Sequence, residues 1–212
     1  MKKICAVFAA VMTVATMWYL CACGTDAMEN VSERRSTYYS AAVDGSTVTA
    51  VSGVREDPYT LDGHADALKP YTLITLVPAT FDVDAVYTFR AAVGTSVYGG
   101  TLTVHPFGAS FSAEVDAEIA SEFTVTISCG GNSVDYGLTS CVPADAISFE
   151  QAVDAAKNEF DCLNGNYEIR ARIIKNPIDG SGVCWHVSFY SENIDCGVLL
   201  DPVSAKVIAK KN

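Results

Sequence analysis

The chain has 212 residues, half of them hydrophobic and only 18% charged, a balance that supports a packed core and excludes a largely disordered polymer. Its net charge is −11, from 14 basic and 25 acidic residues. Phosphate backbones are held by clustered Lys and Arg, and no such cluster is present, so nucleic acid is a poor partner.

The N-terminus has a basic start, Met1-Lys2-Lys3, an uncharged apolar stretch from Ile4 to Tyr19, and then Leu20-Cys21-Ala22-Cys23-Gly24. That layout matches a secretory signal. Its end resembles the bacterial lipobox, with Leu20 three residues before Cys23 and small Ala22 directly before it. The resemblance implies that residues 1–22 are a signal peptide and that the Cys23 thiol carries diacylglycerol and becomes the new N-terminus. Palmitate-type acyl chains then hold the body to the cell membrane, each buried CH₂ adding ~0.8 kcal/mol. The rival reading is an uncleaved apolar helix from Ile4 to Cys23, close to the ~20 residues that span a bilayer. Both place the body on the extracytoplasmic side. Loss of Lys2 and Lys3 leaves 12 basic against 25 acidic residues, a net charge of −13. Residues 23–36 are polar and aperiodic and read as a tether.

Residues 37–143 alternate apolar and polar positions between turn residues. Runs at Thr47–Ser52, Tyr71–Pro78, Tyr87–Val93, Phe111–Val115 and Phe123–Cys129 read as strands. Gly130-Gly131-Asn132-Ser133 then leads to Val134, Tyr136 and Leu138, a hairpin signal. Short strands with one apolar face each predict a two-sheet antiparallel sandwich. In its pattern this region resembles bacterial immunoglobulin-like modules.

Residues 144–212 open with a helix. Ser148 and Gln151 form a capping-box pattern. Phe149, Ala152, Val153, Ala156 and Phe160 make one apolar stripe, and Asn164-Gly165 supplies a stop. Alternation returns at Tyr167–Ile173, Val183–Tyr190 and Ile194–Leu200, followed by Asp201-Pro202 to Val207-Ile208. The expectation is a small helix-plus-antiparallel-sheet unit, mainly β with α+β character. Ser148-Phe149-Glu150-Gln151-Ala152, the Trp185–Phe189 strand and the Leu200–Ile208 hairpin resemble the PepSY family. Ser204-Ala205 replaces the family's usual Thr-Gly, so the turn is expected to differ in shape, because a left-handed backbone strains Ala. The resemblance implies a non-catalytic extracytoplasmic module, of a kind associated with peptidase inhibition.

No residue pattern for catalysis, cofactor or metal binding emerges. Gly182-Val183-Cys184-Trp185 echoes papain-like peptidases only loosely, because Cys184 sits in a strand pattern and no histidine follows His186. His64, His105 and His186 are scattered. Asp62, His64 and Asp66 are near enough in sequence to meet a cation, but a solvated loop explains them more simply. Tyr38 and Tyr39 read as packing residues before sugar-binding ones. Of eight cysteines, Cys5, Cys21 and Cys23 lie in the N-terminal segment. The odd five, Cys129, Cys141, Cys162, Cys184 and Cys196, cannot all pair within one chain. Several read as buried thiols, with one bridge compatible with an oxidising envelope; opposite parity disfavours Cys129 with Cys141. The expected function is a lipid-anchored, non-enzymatic module that binds or regulates an envelope protein or peptidase. A solute-binding or structural lipoprotein and a hydrolase with an unfamiliar site are the alternatives.

Overall fold

The computed structural model describes residues 30–106 and 108–211; the expected signal segment, residues 1–22, and Cys23 lie outside them. In chain order the elements are β1 (Val31–Val43), β2 (Ser46–Glu56), β3 (Leu68–Val77), β4 (Tyr87–Val93), β5 (Ser96–Val104), β6 (Phe111–Val115), β7 (Phe123–Cys129) and β8 (Asn132–Ser140). Then follow α1 (Phe149–Lys157), β9 (Glu168–Lys175), β10 (Val183–Tyr190), β11 (Asp195–Leu200) and β12 (Val207–Lys211).

Alternation forms most of these strands where it was expected, but it does not make a sandwich. The strands pair in the order β1-β2-β3-β6-β5-β4-β7-β8, and β8 returns to β1 through Tyr39↔Ser140 and Ser40↔Thr139. The immunoglobulin-like sandwich is therefore replaced by a closed eight-stranded antiparallel barrel. Both architectures need one inward face per strand, so the period alone could not separate them. Closure removes the open edges that a sandwich must protect. Val48, Ala50, Ile74, Leu76, Ala91, Phe111 and Val125 fill the interior, making it a packed core.

The C-terminal strands are likewise not a separate helix-plus-sheet unit. Strands β9 to β12 continue the barrel's own sheet, because Val31–Arg35 of β1 pairs in parallel with Ile169–Arg172 of β9. Val31 to Ser36, expected to end the tether, are thus part of a strand. Strand covers 54% of the chain and helix 5%, so α+β overstates the helical share. Helix α1 starts as its sequence predicts: the Gln151 amide N–H donates to Ser148 Oγ at 3.2 Å and the Ser148 N–H to Gln151 Oε1 at 2.9 Å. It stops at Lys157, short of Asn164-Gly165. Phe149, Ala152, Val153 and Ala156 pack on Ile169, Ala171, Ile173, Trp185, Val187 and Phe189, and the larger of these side chains each contribute about 2 kcal/mol through burial. Phe160 joins this core from beyond the helix and meets Phe189 edge to face, with centroids 5.8 Å apart.

One glycine lets β1 serve both parts. Its register with β2 slips between Arg34 and Thr37, and there its backbone presses on Gly53. A Cβ at Gly53 would lie 2.1 Å from the Arg34 carbonyl oxygen and 2.9 Å from Arg35 Cα, distances that only backbone movement relieves. Ala205 is a second backbone special. Its φ is +58°, so the Leu200–Val207 turn keeps a left-handed residue despite lacking glycine, contrary to the expected change of shape. The turn is held by Asp201 Oδ1, which accepts from the Val203 and Ser204 N–H groups at 3.1 and 2.7 Å.

Gly53→Ala is expected to lower stability by about 3 kcal/mol or more in urea denaturation; an unchanged midpoint would show that β1 does not press there. Ala205→Gly should instead raise stability by about 0.5–1 kcal/mol, since relief of left-handed strain outweighs the added freedom of the unfolded chain. A lower melting temperature would contradict the assigned backbone.

Candidate functional site

Where β1 passes from barrel to C-terminal sheet, the interior turns polar. Glu33 lies beside Arg55 of β2 and near Arg170 and Arg172 of β9 through strand pairing. The Tyr71 hydroxyl donates to Glu33 Oε1 at 2.6 Å, and an Arg172 guanidinium nitrogen stands 3.5 Å from Oε2. Burial, then the Glu33 charge, pushes the Tyr71 phenol up to about 12, with Arg35 opposing. Arg55 lies 4.5 Å over the Tyr71 ring and hydrogen-bonds Glu114 at 2.6 Å. Burying such groups is costly unless they satisfy one another; both Glu33 oxygens are engaged, whereas Arg35 Nε and Arg172 Nε have no hydrogen-bond partner among the described residues.

The loop between β2 and β3 seals this seam. The backbone N–H groups of Asp62 and Gly63 donate to Glu168 Oε1 at 3.2 and 3.1 Å, and Glu168 is fully buried. Tyr59, from the same loop, stacks on Arg170 at 3.6 Å, while Tyr190 approaches that guanidinium at 5.3 Å. Glu56 is 3% exposed. Burial and the neighbouring Glu168 charge push its carboxyl up, opposed by the nearby backbone N–H groups of Asp66 and Thr60. Neither Glu56 oxygen reaches full hydrogen-bond geometry. A cleft of ≈380 Å³ opens here, lined by Ser32, Glu33, Arg55, Glu56, Tyr59 and Arg170 among others.

The seam leads onto the outer face of the C-terminal sheet. Helix α1 covers the face carrying Trp185, Val187 and Phe189, and alternation sends His186, Ser188 and Tyr190 to the other side. That side holds a groove of ≈500 Å³ lined by Ile174, Pro177, His186, Tyr190, Leu199 and Lys211, among others. His186 joins groove to seam: its Nδ1 lies 3.1 Å from an Arg172 guanidinium nitrogen. Burial, then Arg172 and Arg35, push the His186 pKa down to about 4, with Glu33 acting the other way. At neutral pH the ring is uncharged and Nδ1 accepts from Arg172.

The residues singled out by sequence are dispersed. Cys184 is buried, and burial pushes its thiol up to about 11, the opposite of an activated nucleophile. Asp62 Oδ1 accepts the His64 N–H at 2.9 Å, and the His64 ring meets Asn166 at 3.2 Å. This is loop bracing, and among the described residues no three of His, Cys, Asp and Glu form a metal-binding group. The His105 N–H donates to the Ser110 carbonyl at 2.8 Å in the β5–β6 connection. Tyr39 packs edge to face on Phe123 in the barrel, and Tyr38 is half-buried against the C-terminal core. Cys129 and Cys141 lie at opposite ends of the β7–β8 hairpin, about 30 Å apart at strand rise. Cys129 is only half-buried and Cys141 is exposed, while Cys184 and Cys196 are buried thiols. Sequence reasoning missed Glu33, Glu56 and Glu168; acidic residues near strand ends look like solvated surface until β1 and β9 are brought together. No family model, curated protein or solved structure matches this chain.

His186 yields a pH prediction. Its folded pKa lies below the unfolded value of about 6.5, so its contribution to stability is complete above pH 6.5 and is lost as pH falls toward 4. The loss is at most about 3 kcal/mol. His186→Gln should flatten the stability–pH curve in that window relative to wild type. Parallel curves would contradict the assignment.

Proposed function

We propose that the chain is an extracytoplasmic lipoprotein, anchored through Cys23, whose folded body binds another envelope protein by accepting an extended segment on the open face of its C-terminal sheet. The observation that carries this reading is the groove and the edge beside it. Among the described residues β12 pairs only with β11, leaving a row of backbone donors and acceptors free. An extended segment added there makes main-chain hydrogen bonds, and its alternate side chains enter the groove past Leu199 and Ala209. Lys206, Lys210 and Lys211 lie along this edge in a strongly acidic chain. Two copies meeting edge to edge would oppose lysine to lysine, so a different partner is favoured over self-pairing. The seam supports the same reading, since Arg172 joins Glu33 of β1 to His186 of β10 and so braces β9 and β10 beneath the groove. Neither a solute site nor a hydrolytic centre has a comparable observation in its favour.

A photo-crosslinking residue at Leu199 in the full chain, expressed in its native envelope, is expected to capture one discrete protein repeatedly. The same probe at Thr101, on the exposed barrel wall, should not capture it, and Ile174→Asp should abolish capture. Equal labelling from both positions, or none from Leu199, would reject the groove as the binding face. Incorporation of labelled fatty acid that survives Cys23→Ser would reject the anchor.

A further inference from the structure

Five cysteines lie among the described residues, all of them free thiols, and the fold brings two together from distant parts of the sequence. Phe160, just past helix α1, packs on Phe189. Cys196 on β11 is the direct cross-strand partner of Phe189. Lys210 ties the same segment down: its ammonium bonds the Glu159 carbonyl and stands 4.5 Å over the Phe160 ring. Two residues after Phe160, Cys162 is thereby delivered beside Cys196, near enough that its thiol helps to push the Cys196 pKa up. The pair is asymmetric, with Cys162 exposed and Cys196 buried.

We propose that Cys162 and Cys196 are a disulfide-forming pair, oxidised by exchange with a small external disulfide. The exposed Cys162 thiol loses its proton and attacks one sulfur of that disulfide, releasing one thiol and leaving a mixed disulfide on Cys162. Cys196, deprotonated in turn, attacks the Cys162 sulfur and expels the second thiol. Two protein thiols have then lost two protons and two electrons, and the external disulfide has become two thiols. Burial pushes the Cys196 thiol up to about 11, while Lys210 opposes that rise, so the second step is the slow one and quickens with pH. The bond clamps the end of α1 to β11, whose opposite face lines the groove through Gly197 and Leu199. It closes a loop of the intervening chain and leaves Cys129, Cys141 and Cys184 as the remaining thiols of the body.

The test uses the full chain, purified reduced and incubated with oxidised glutathione. In the Cys141→Ser chain, intact mass should pass through a glutathione adduct and settle at a loss of two hydrogens, and peptide mapping should place the adduct on Cys162 and then join Cys162 to Cys196. The oxidised form should melt about 10 °C above the reduced form, and dithiothreitol should remove the gain. Cys196→Ser should stop at a stable adduct on Cys162, and Cys162→Ser should give neither the linked peptide nor the thermal gain. A wild-type adduct mapped to Cys162 that persists unresolved, or linkage of Cys162 to any other cysteine, would overturn the pairing.

Discussion

A single strand with two sets of neighbours holds this molecule together. The first half of β1 pairs in parallel with β9, its second half closes the barrel onto β8, and β2 lies along its whole length. Such a strand must change register part-way, and the slip at Arg34–Thr37 brings its backbone onto β2 at a contact that admits only Gly53. Everything C-terminal to the barrel hangs from that arrangement. The sheet that carries α1 on one side and the groove on the other has no attachment to the barrel as extensive as β1 with β9.

The same junction explains why charge is buried where it is. Bringing β9 against β1 places Glu33 among Arg35, Arg55 and Arg172 and forces Glu56 and Glu168 out of water. The loop after β2 folds over them, giving Glu168 two backbone N–H groups and capping Arg170 with Tyr59. These interactions do not stabilise by surface area as the two apolar cores do. They fix orientation: sliding β9 against β1 would take Arg172 from Glu33 and leave that carboxylate buried with one partner fewer. The proposed binding groove on the adjoining face gains from that rigidity, since β9 and β10 arrive already positioned.

What the sequence disclosed follows from the range of each interaction. Phe123–Cys129 and Phe111–Val115 were legible because alternation is local, and the start of α1 was legible because Ser148 and Gln151 satisfy each other within one turn. Closure between Tyr39 and Ser140 was not, since it is a pairing across about a hundred residues that leaves the period unchanged. Val31–Arg35 was hidden by composition: Ser32, Glu33 and Arg35 look like a solvated tether, and only Tyr71 and Arg172, far away in sequence, make burial tolerable. Strand β5 was obscured by Gly99-Gly100, which break the β signal although Phe89 packs against that stretch. The groove was implicit in the polar parity of His186, Ser188 and Tyr190, but parity shows only that a face differs, not that it is left open.

If β1 is shared, barrel and C-terminal sheet must unfold together. Trp185 is the sole tryptophan among the described residues and sits in the C-terminal core, so its fluorescence reports that sheet alone, while amide exchange in β4 and β7 reports the barrel. Measured across one urea series on a chain lacking residues 1–22, the two probes should share a single midpoint. A Trp185 transition completed while the barrel amides remain protected would show two independent units and contradict the shared strand.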